Sequence, residues 1–364
     1  VGFGADMTCS EMSLASSICQ GQPSEWAHLR RHPDEKIFGV QIAAAHEEQM
    51  AKACQLVREY CSVDFVDINM GCPLDAVCGS GAGACLPTRR AKAKKVVEAA
   101  LGVVPCAVTM KIRTGWDADR PTAHTFAGFA QSWHVRGRAL EAVFVHGRSR
   151  QDRYSRLADW AYVDRVATCQ DDAAAPLPVI GNGDILTFRD WQAKKAAAPH
   201  VVDCAMLARG ALIKPWLPTE LKERRDWDIS ASERLEMLQK FVKFGLEHWG
   251  SDGAGVKRTR RFLLEWLSFL YRYTPVALLD VLPQRMNDRP PAFYGRSDLE
   301  TLFASPSAAD WIKISELLLG KVESDFKFEP KHKARSYENT AMTPRTTTTT
   351  TTHSTAPRGG DEWG

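Results

Sequence analysis

Residues 64–73 read DFVDINMGCP: a β-rich run that ends near Met70 and then leaves its strand through Gly71, Cys72 and Pro73. A packed structural thiol belongs inside an apolar face, whereas Cys72 follows Asn69 and Gly71, precedes Pro73 and leads towards the glycine-rich GSGAGA of 79–84. Its position favours chemistry over packing. Asn69, a polar residue near the carboxyl end of an apolar strand, decides the fold, because its kind recurs along the chain.

Outward from this stretch, β-rich runs appear at ADMTC (5–9), IFGVQIA (37–43), CAVTMKI (106–112), EAVFVH (141–146), PLPVIGN (176–182) and VVDCAML (201–207). They recur roughly every 25 to 40 residues with helix-like stretches such as EEQMAKACQLVREY (47–60) between them, which is the pattern of βα units around a parallel sheet. A doubly wound sheet and a barrel both fit this alternation. Gln41, Asn69, Lys111, His146 and Asn182 fall near the carboxyl ends of consecutive strands. A doubly wound site concentrates on one switch point, whereas a barrel draws on many strand ends. The expected fold is an α/β (β/α)8 TIM barrel over residues 1–229, short of its first strand and closed by PWLPTELKERR (215–225).

From about residue 230 the pattern changes to helices without strands: ASERLEMLQKFVKFGLEHW, GVKRTRRFLLEWLSFLYRY and AADWIKISELLLG. A C-terminal helical domain is expected over 230–335. Residues 336–364, with seven consecutive threonines, have nothing to build a core from and are expected to be disordered.

Hydrophobic content of 44% and charged content of 25% are ordinary for a globular chain. No apolar run approaches the roughly 18 residues of a membrane helix, and no signal segment opens the chain. A membrane partner is not expected, and none of the residues points to a protein partner. The ten cysteines show no CxxC pairing, which argues for reduced thiols and against a disulfide framework or a metal site. The net charge of +3 says little, since it averages over patches. Basic clusters at Arg89, Arg90, Lys92, Lys94 and Lys95, at Lys257, Arg258, Arg260 and Arg261, and at Lys331, Lys333 and Arg335 keep a polyanion in play, although each alone reads best as a solvated helix face.

Two late glycine turns, IGNGDIL (180–186) and MLARGAL (206–212), sit where barrels commonly bind phosphate, with Arg209 as charged partner. A lone lysine such as Lys111 more often snorkels to a rim, and a lone His146 more often caps a strand. Together with Gln41 and Asn69 they supply donors for one planar, electron-rich group, as a flavin requires.

The ordered set INMGCP, GSGAGA, MKIRTGW, HGRSRQDRY, GNGD and ARGAL resembles the tRNA-dihydrouridine synthases, flavin-dependent barrel enzymes that reduce uridine in tRNA. The further runs KPWLPTELKE, GLEHWGSD, TRRFLLEWLSFL, LPQR, RPP and AADWIKISELLLG resemble the eukaryotic branch acting on position 47 of the tRNA variable loop, so the likeness covers roughly residues 2–335. The resemblance implies an oxidoreductase with FMN as cofactor and NADPH as reductant. Hydride would pass from reduced FMN to carbon 6 of the uracil and a proton from Cys72 to carbon 5. It also implies Asn69 as holder of the pyrimidine, and Gln41, Lys111 and His146 as contacts of the flavin ring and ribityl chain. Asn182, Gly183 and Asp184 with Ala208, Arg209 and Gly210 would grip the phosphate. Arg148 and Arg150 are expected to reach the RNA backbone, and Lys257, Arg258, Arg260 and Arg261 to contact tRNA phosphates.

In that family the first barrel strand and helix precede GFGADMTCSEM, so the chain is expected to be a fragment or incomplete gene product with an open barrel. Another FMN barrel of the dihydroorotate dehydrogenase type, or a tRNA-binding protein without catalysis, are the competing readings. A cytoplasmic location is expected, with the nucleus as an additional one.

Overall fold

The computed structural model describes residues 1–170 and 176–331. The threonine-rich tail and the cations Lys333 and Arg335 lie outside the described residues. The strands are β1 (Met7–Leu14), β2 (Ile37–Ala43), β3 (Phe65–Met70), β4 (Ala107–Arg113), β5 (His134–Val135), β6 (Arg138–Ala139), β7 (Ala142–His146), β8 (Val179–Asn182) and β9 (Ala205–Met206). Seven form one sheet in the order β1-β2-β3-β4-β7-β8-β9, every neighbouring pair parallel, while β5 and β6 make a small antiparallel ribbon.

Side chains alternate across a strand, and here the two faces differ in chemistry. Val40, Ile42, Val66, Ile68, Val108, Met110, Val143 and Val145 are fully buried in the large core with Met50, Ala53 and Val57 of the helix Glu47–Tyr60 and Val96 and Val97 of the helix Arg90–Val103. The intervening residues Gln41, Asp67, Asn69, Thr109, Lys111, His146 and Asn182 occupy the other face. Residues of both outer strands, Cys9 and Met12 on β1 and Met206 on β9, line one cavity with residues of every strand between them. That is possible only because the sheet curls. The result is an open, curled parallel sheet, an incomplete (β/α)8 barrel, followed by C-terminal helices.

Two strands differ from expectation. β1 continues past Cys9 to Leu14 through an irregularity between Cys9 and Met12, where the Ser10 hydroxyl accepts the Gln41 N–H at 3.0 Å. β9 shrinks to two residues, because Val202 N–H first bonds Val179 O and the chain then turns tightly, with Cys204 N–H on Val202 O.

The helices Ala231–Trp249, Gly253–Leu270 and Ala308–Leu319 match the three helical runs, and a fourth, Asp298–Ala304, lies between them. Ser230 and Glu233 close a reciprocal capping box at the start of the first, a device that contributes about 1 kcal/mol. These helices bury a second apolar core around Leu238, Leu263, Leu264, Leu267, Trp311 and Ile314. Trp216, Ile229, Met237 and Tyr273 join it to the barrel, and Trp266 Nε1 donates to Leu212 O at 2.8 Å.

Candidate active site

The inner face of the sheet opens onto a cavity of about 350 Å3, within the range of small-molecule sites. It has two chemically distinct ends. At the first, β2, β3 and β4 align Gln41 with Asp67, Asp67 with Thr109, and Asn69 with Lys111. Thr109 Oγ1 donates to Asp67 Oδ1 and Gln41 Nε2 to Asp67 Oδ2, each at 2.7 Å. Asn69 Nδ2 donates to Gln41 Oε1 at 2.6 Å, and Asn69 Oδ1 accepts the backbone N–H groups of Gly71 and Cys72 at 3.1 and 2.9 Å. Arg113 secures the same loop, donating from Nε to Gly71 O at 2.7 Å and from NH1 to Ser149 O at 2.9 Å.

Cys72 therefore stands half-buried in the cavity wall on a loop tied from both sides. Burial pushes its thiol above the ordinary value, against smaller lowering by the Leu74 backbone, Arg113 and Lys111. It stays protonated at neutral pH. Lys111 lines the cavity and its ammonium has no hydrogen bond among the described residues; burial, then Arg113, pulls that ammonium down to about 8. Asp67 is raised to about 6 by burial, with Thr109, Gln41 and Lys111 opposing.

At the second end, Arg148 and Asp184 form an ion pair with both side chains fully buried. Arg148 NH2 meets Asp184 Oδ1 and Oδ2 at 2.8 and 2.7 Å, and Arg209 NH2 adds a bond to Oδ1 at 3.0 Å. Arg148 NH1 lies 3.2 Å from His146 Nε2, and burial and then the cations Lys111, Arg113, Arg148 and Arg209 push that imidazole well below its usual range. A neutral His146 accepts at Nε2 and so carries its proton on Nδ1. Tyr154 covers this cluster, with the Arg209 guanidinium 4.6 Å from its ring centroid.

The two late turns border the same end. At Gly183 φ is +126°, and a Cβ there would lie 2.7 Å from Ala158 Cβ; at Gly210 it would lie 2.1 Å from Ile185 O. Only glycine allows the backbone to approach so closely. Asn182 is held by its Nδ2 donating to Met206 O at 2.7 Å, and Ala208 and Arg209 complete the wall.

Gln41, Asn69, Cys72, Lys111, His146, Asn182, Gly183, Asp184, Ala208, Arg209 and Gly210 are thus brought together. Arg148 joins them, which corrects the expectation that it reaches RNA: it is 1% exposed and locked on Asp184. Arg150 is engaged with Asp75 and lies over the Trp116 ring at 4.6 Å. Arg260 also departs from expectation. It is buried and donates to Ser315 Oγ, Leu319 O and Gly320 O, closing the end of the helix Ala308–Leu319, whereas Lys257, Arg258 and Arg261 are exposed. All ten cysteines are free, and no cluster of metal-ligating residues occurs among the described residues. No helix there is long and apolar enough to cross a membrane.

Sequence reading missed Asp67, Arg113, Tyr154 and Gln284. Asp67 had a signal, since it lies two residues before Asn69 and so shares its face. Gln284 lies in the family-like run LPQR, but nothing in that run places it at the cavity: it comes from the stretch after the helix Gly253–Leu270, lines the cavity and donates to Asp190 Oδ1 at 2.9 Å, across 94 residues of sequence.

The defining pattern of the dihydrouridine synthase (Dus) family matches residues 2–260. The chain is 52% identical over 336 residues to the tRNA-dihydrouridine(47) synthase-like protein of Oryza sativa subsp. japonica, covering 92% of this chain and 48% of that one. It is 53% identical to the mouse protein of the same name, with 92% and 51% covered. To the tRNA-dihydrouridine(47) synthase of Cryptococcus neoformans it is 48% identical over 350 residues, with 93% and 47% covered. The chain spans about half the length of the curated relatives it matches. An inner sheet face that gathers Asn69, Cys72, Lys111 and His146, inside a match that runs through most of the chain, has one source: the chain belongs to the dihydrouridine synthase family.

Proposed function

We propose that this chain carries out the FMN-dependent reduction of uridine to 5,6-dihydrouridine in tRNA, at position 47 of the variable loop, with NADPH as reductant. One observation carries the reading: a protonated, half-buried thiol, Cys72, is fixed on the wall of the same cavity that presents the ammonium of Lys111, which has no hydrogen bond among the described residues. The relatives are named for the same modification and for NAD(P)(+).

The residues suit FMN. The Lys111 ammonium has no hydrogen-bond acceptor among the described residues, and an electron-rich flavin edge would give it one; neutral His146 keeps an N–H on Nδ1 for the ring or ribityl chain. Gly183 and Gly210 bring backbone close at the end where Arg209 supplies positive charge for a phosphate. When bound, reduced FMN supplies the hydride that carbon 6 of the uracil requires. Cys72 holds the proton destined for carbon 5, and its raised pKa keeps that proton in place until the base is within reach. Asn69 orients the Cys72 loop and faces the flipped-out pyrimidine.

The barrel residues 1–229 form the flavin unit in this reading, and residues 230–335 the RNA-binding unit, with exposed Lys257, Arg258 and Arg261 on tRNA phosphates. The location that goes with it is cytoplasmic or nuclear. The test is NADPH-dependent formation of dihydrouridine in unmodified tRNA, with the modified position mapped. Flavin turnover without dihydrouridine redirects the reading to another FMN barrel oxidoreductase.

A further inference from the structure

A hydrogen-bonded chain with a fixed direction runs beneath the Cys72 loop. Its far end is Asp67, 1% exposed, whose ionised carboxylate only accepts. Gln41 must therefore turn its NH2 to Asp67 and its carbonyl to Asn69, so Asn69 must donate to Gln41 and present Oδ1 to the loop. The near end agrees, because the N–H groups of Gly71 and Cys72 can only donate. Carboxamides alone have no preferred direction, since each can flip. An acceptor-only group at one end and donor-only groups at the other leave a single arrangement.

We infer that Asp67 is a positioning residue, which acts through Gln41 and Asn69 to hold Cys72 where its proton reaches the substrate. The inference rests on the proposed uridine reduction, but its physical content, the seating of Cys72, is measurable without turnover.

The FMN-loaded enzyme is compared with Asp67→Leu, which fills the same space without an acceptor, and Asp67→Asn, which keeps one acceptor oxygen for Gln41. For Asp67→Leu, kcat for dihydrouridine formation should fall about 100-fold, the effect of a small misplacement, with KM for tRNA unchanged. The asparagine should recover about 10-fold of that loss, because it restores the direction of the chain in one of its two orientations. Iodoacetamide should alkylate Cys72, followed by peptide mass spectrometry, several times faster in Asp67→Leu as the loop loosens. A leucine variant with wild-type kcat and wild-type alkylation overturns the inference. So do leucine and asparagine variants impaired equally and in step with lowered melting temperatures, the mark of a merely structural role. Should Asp67→Leu not fold, Asp67→Asn and Gln41→Leu are combined. The double variant should be no slower than Gln41→Leu alone, and additive losses overturn the inference. If the wild-type enzyme forms no dihydrouridine, the proposed function fails, while the alkylation rates still decide the role of Asp67.

Discussion

The two ends of the cavity use buried polar groups in opposite ways. At the Cys72 end, the Gln41 carboxamide and the Thr109 hydroxyl converge on Asp67, whose carboxylate makes no direct ion pair among the described residues, and the groups facing the cavity are neutral or near titration. At the Asp184 end, two guanidinium groups share one carboxylate: the Arg148–Asp184 pair is fully buried and Arg209 joins it from the cavity side. A hydrogen-bonded chain fixes direction and leaves proton positions adjustable; a charge cluster fixes place and leaves net positive charge for an anion. The first suits a proton donor and the second suits a phosphate.

The sharpest way to break this comparison is Cys72→Ala. Flavin binding and flavin reduction by NADPH should be spared, while dihydrouridine formation falls by about 10²–10⁴-fold, the usual worth of a positioned acid. Stopped-flow flavin reduction beside tRNA product assays separates these steps. Equal loss of flavin would mean that the two ends are not functionally distinct.

Asp184→Ala tests the other end. It strands Arg148 and Arg209 without their shared partner, and breaking a buried pair by removing one member costs about 3–5 kcal/mol. Denaturant unfolding should show that loss, and FMN binding should weaken with it.

A smaller effect follows from Lys111. Its ammonium is held down to about 8 by burial and Arg113, with Asp67, Cys9 and Cys72 opposing, so it loses its proton as pH rises through that value. If, as proposed, the charged form binds the flavin edge, FMN affinity should fall roughly 10-fold between pH 7 and 9, as the loss of one charge-assisted hydrogen bond implies. Lys111→Met should bind weakly but without this pH dependence. The stability sign runs the other way. Burial disfavours the charged amine, so the folded state gains stability as pH rises from about 8 towards the unfolded value.

Much of this geometry was legible in the sequence, because strand ends in a βα repeat are set by a simple period. Gln41, Asn69, Lys111, His146 and Asn182 converge where that period puts them. Burial within a loop has no such period. Arg148 follows His146 by two residues and reads as a surface cation, yet the chain folds it under Tyr154 onto Asp184, whose own partners lie 36 and 25 residues away. The shortness of β9 was equally hidden, since it arises from a turn at Cys204 inside an apolar run. Gln284 reaches the cavity from beyond the helix Gly253–Leu270, a contact that tertiary packing alone creates.

The contrast between a guanidinium that holds the fold and one free to meet an anion recurs on a single turn of the helix Gly253–Leu270. Arg260 is buried on the Ser315 hydroxyl and the carbonyls of Leu319 and Gly320, while its neighbour Arg261 is exposed. Composition cannot separate them; the side of the helix does. Arg261→Gln should leave the melting temperature unchanged and reduce the slope of log tRNA affinity against log salt by about 1, the loss of one phosphate contact. Arg260→Gln should do the reverse, lowering the melting temperature by leaving helix-end carbonyls unpaired while the slope stays put. Binding titrations across a salt series, paired with thermal melts of both variants, read the two effects side by side. If Arg260→Gln moved the slope and Arg261→Gln did not, the RNA would lie on the opposite side of this helix from the one its exposed cations mark.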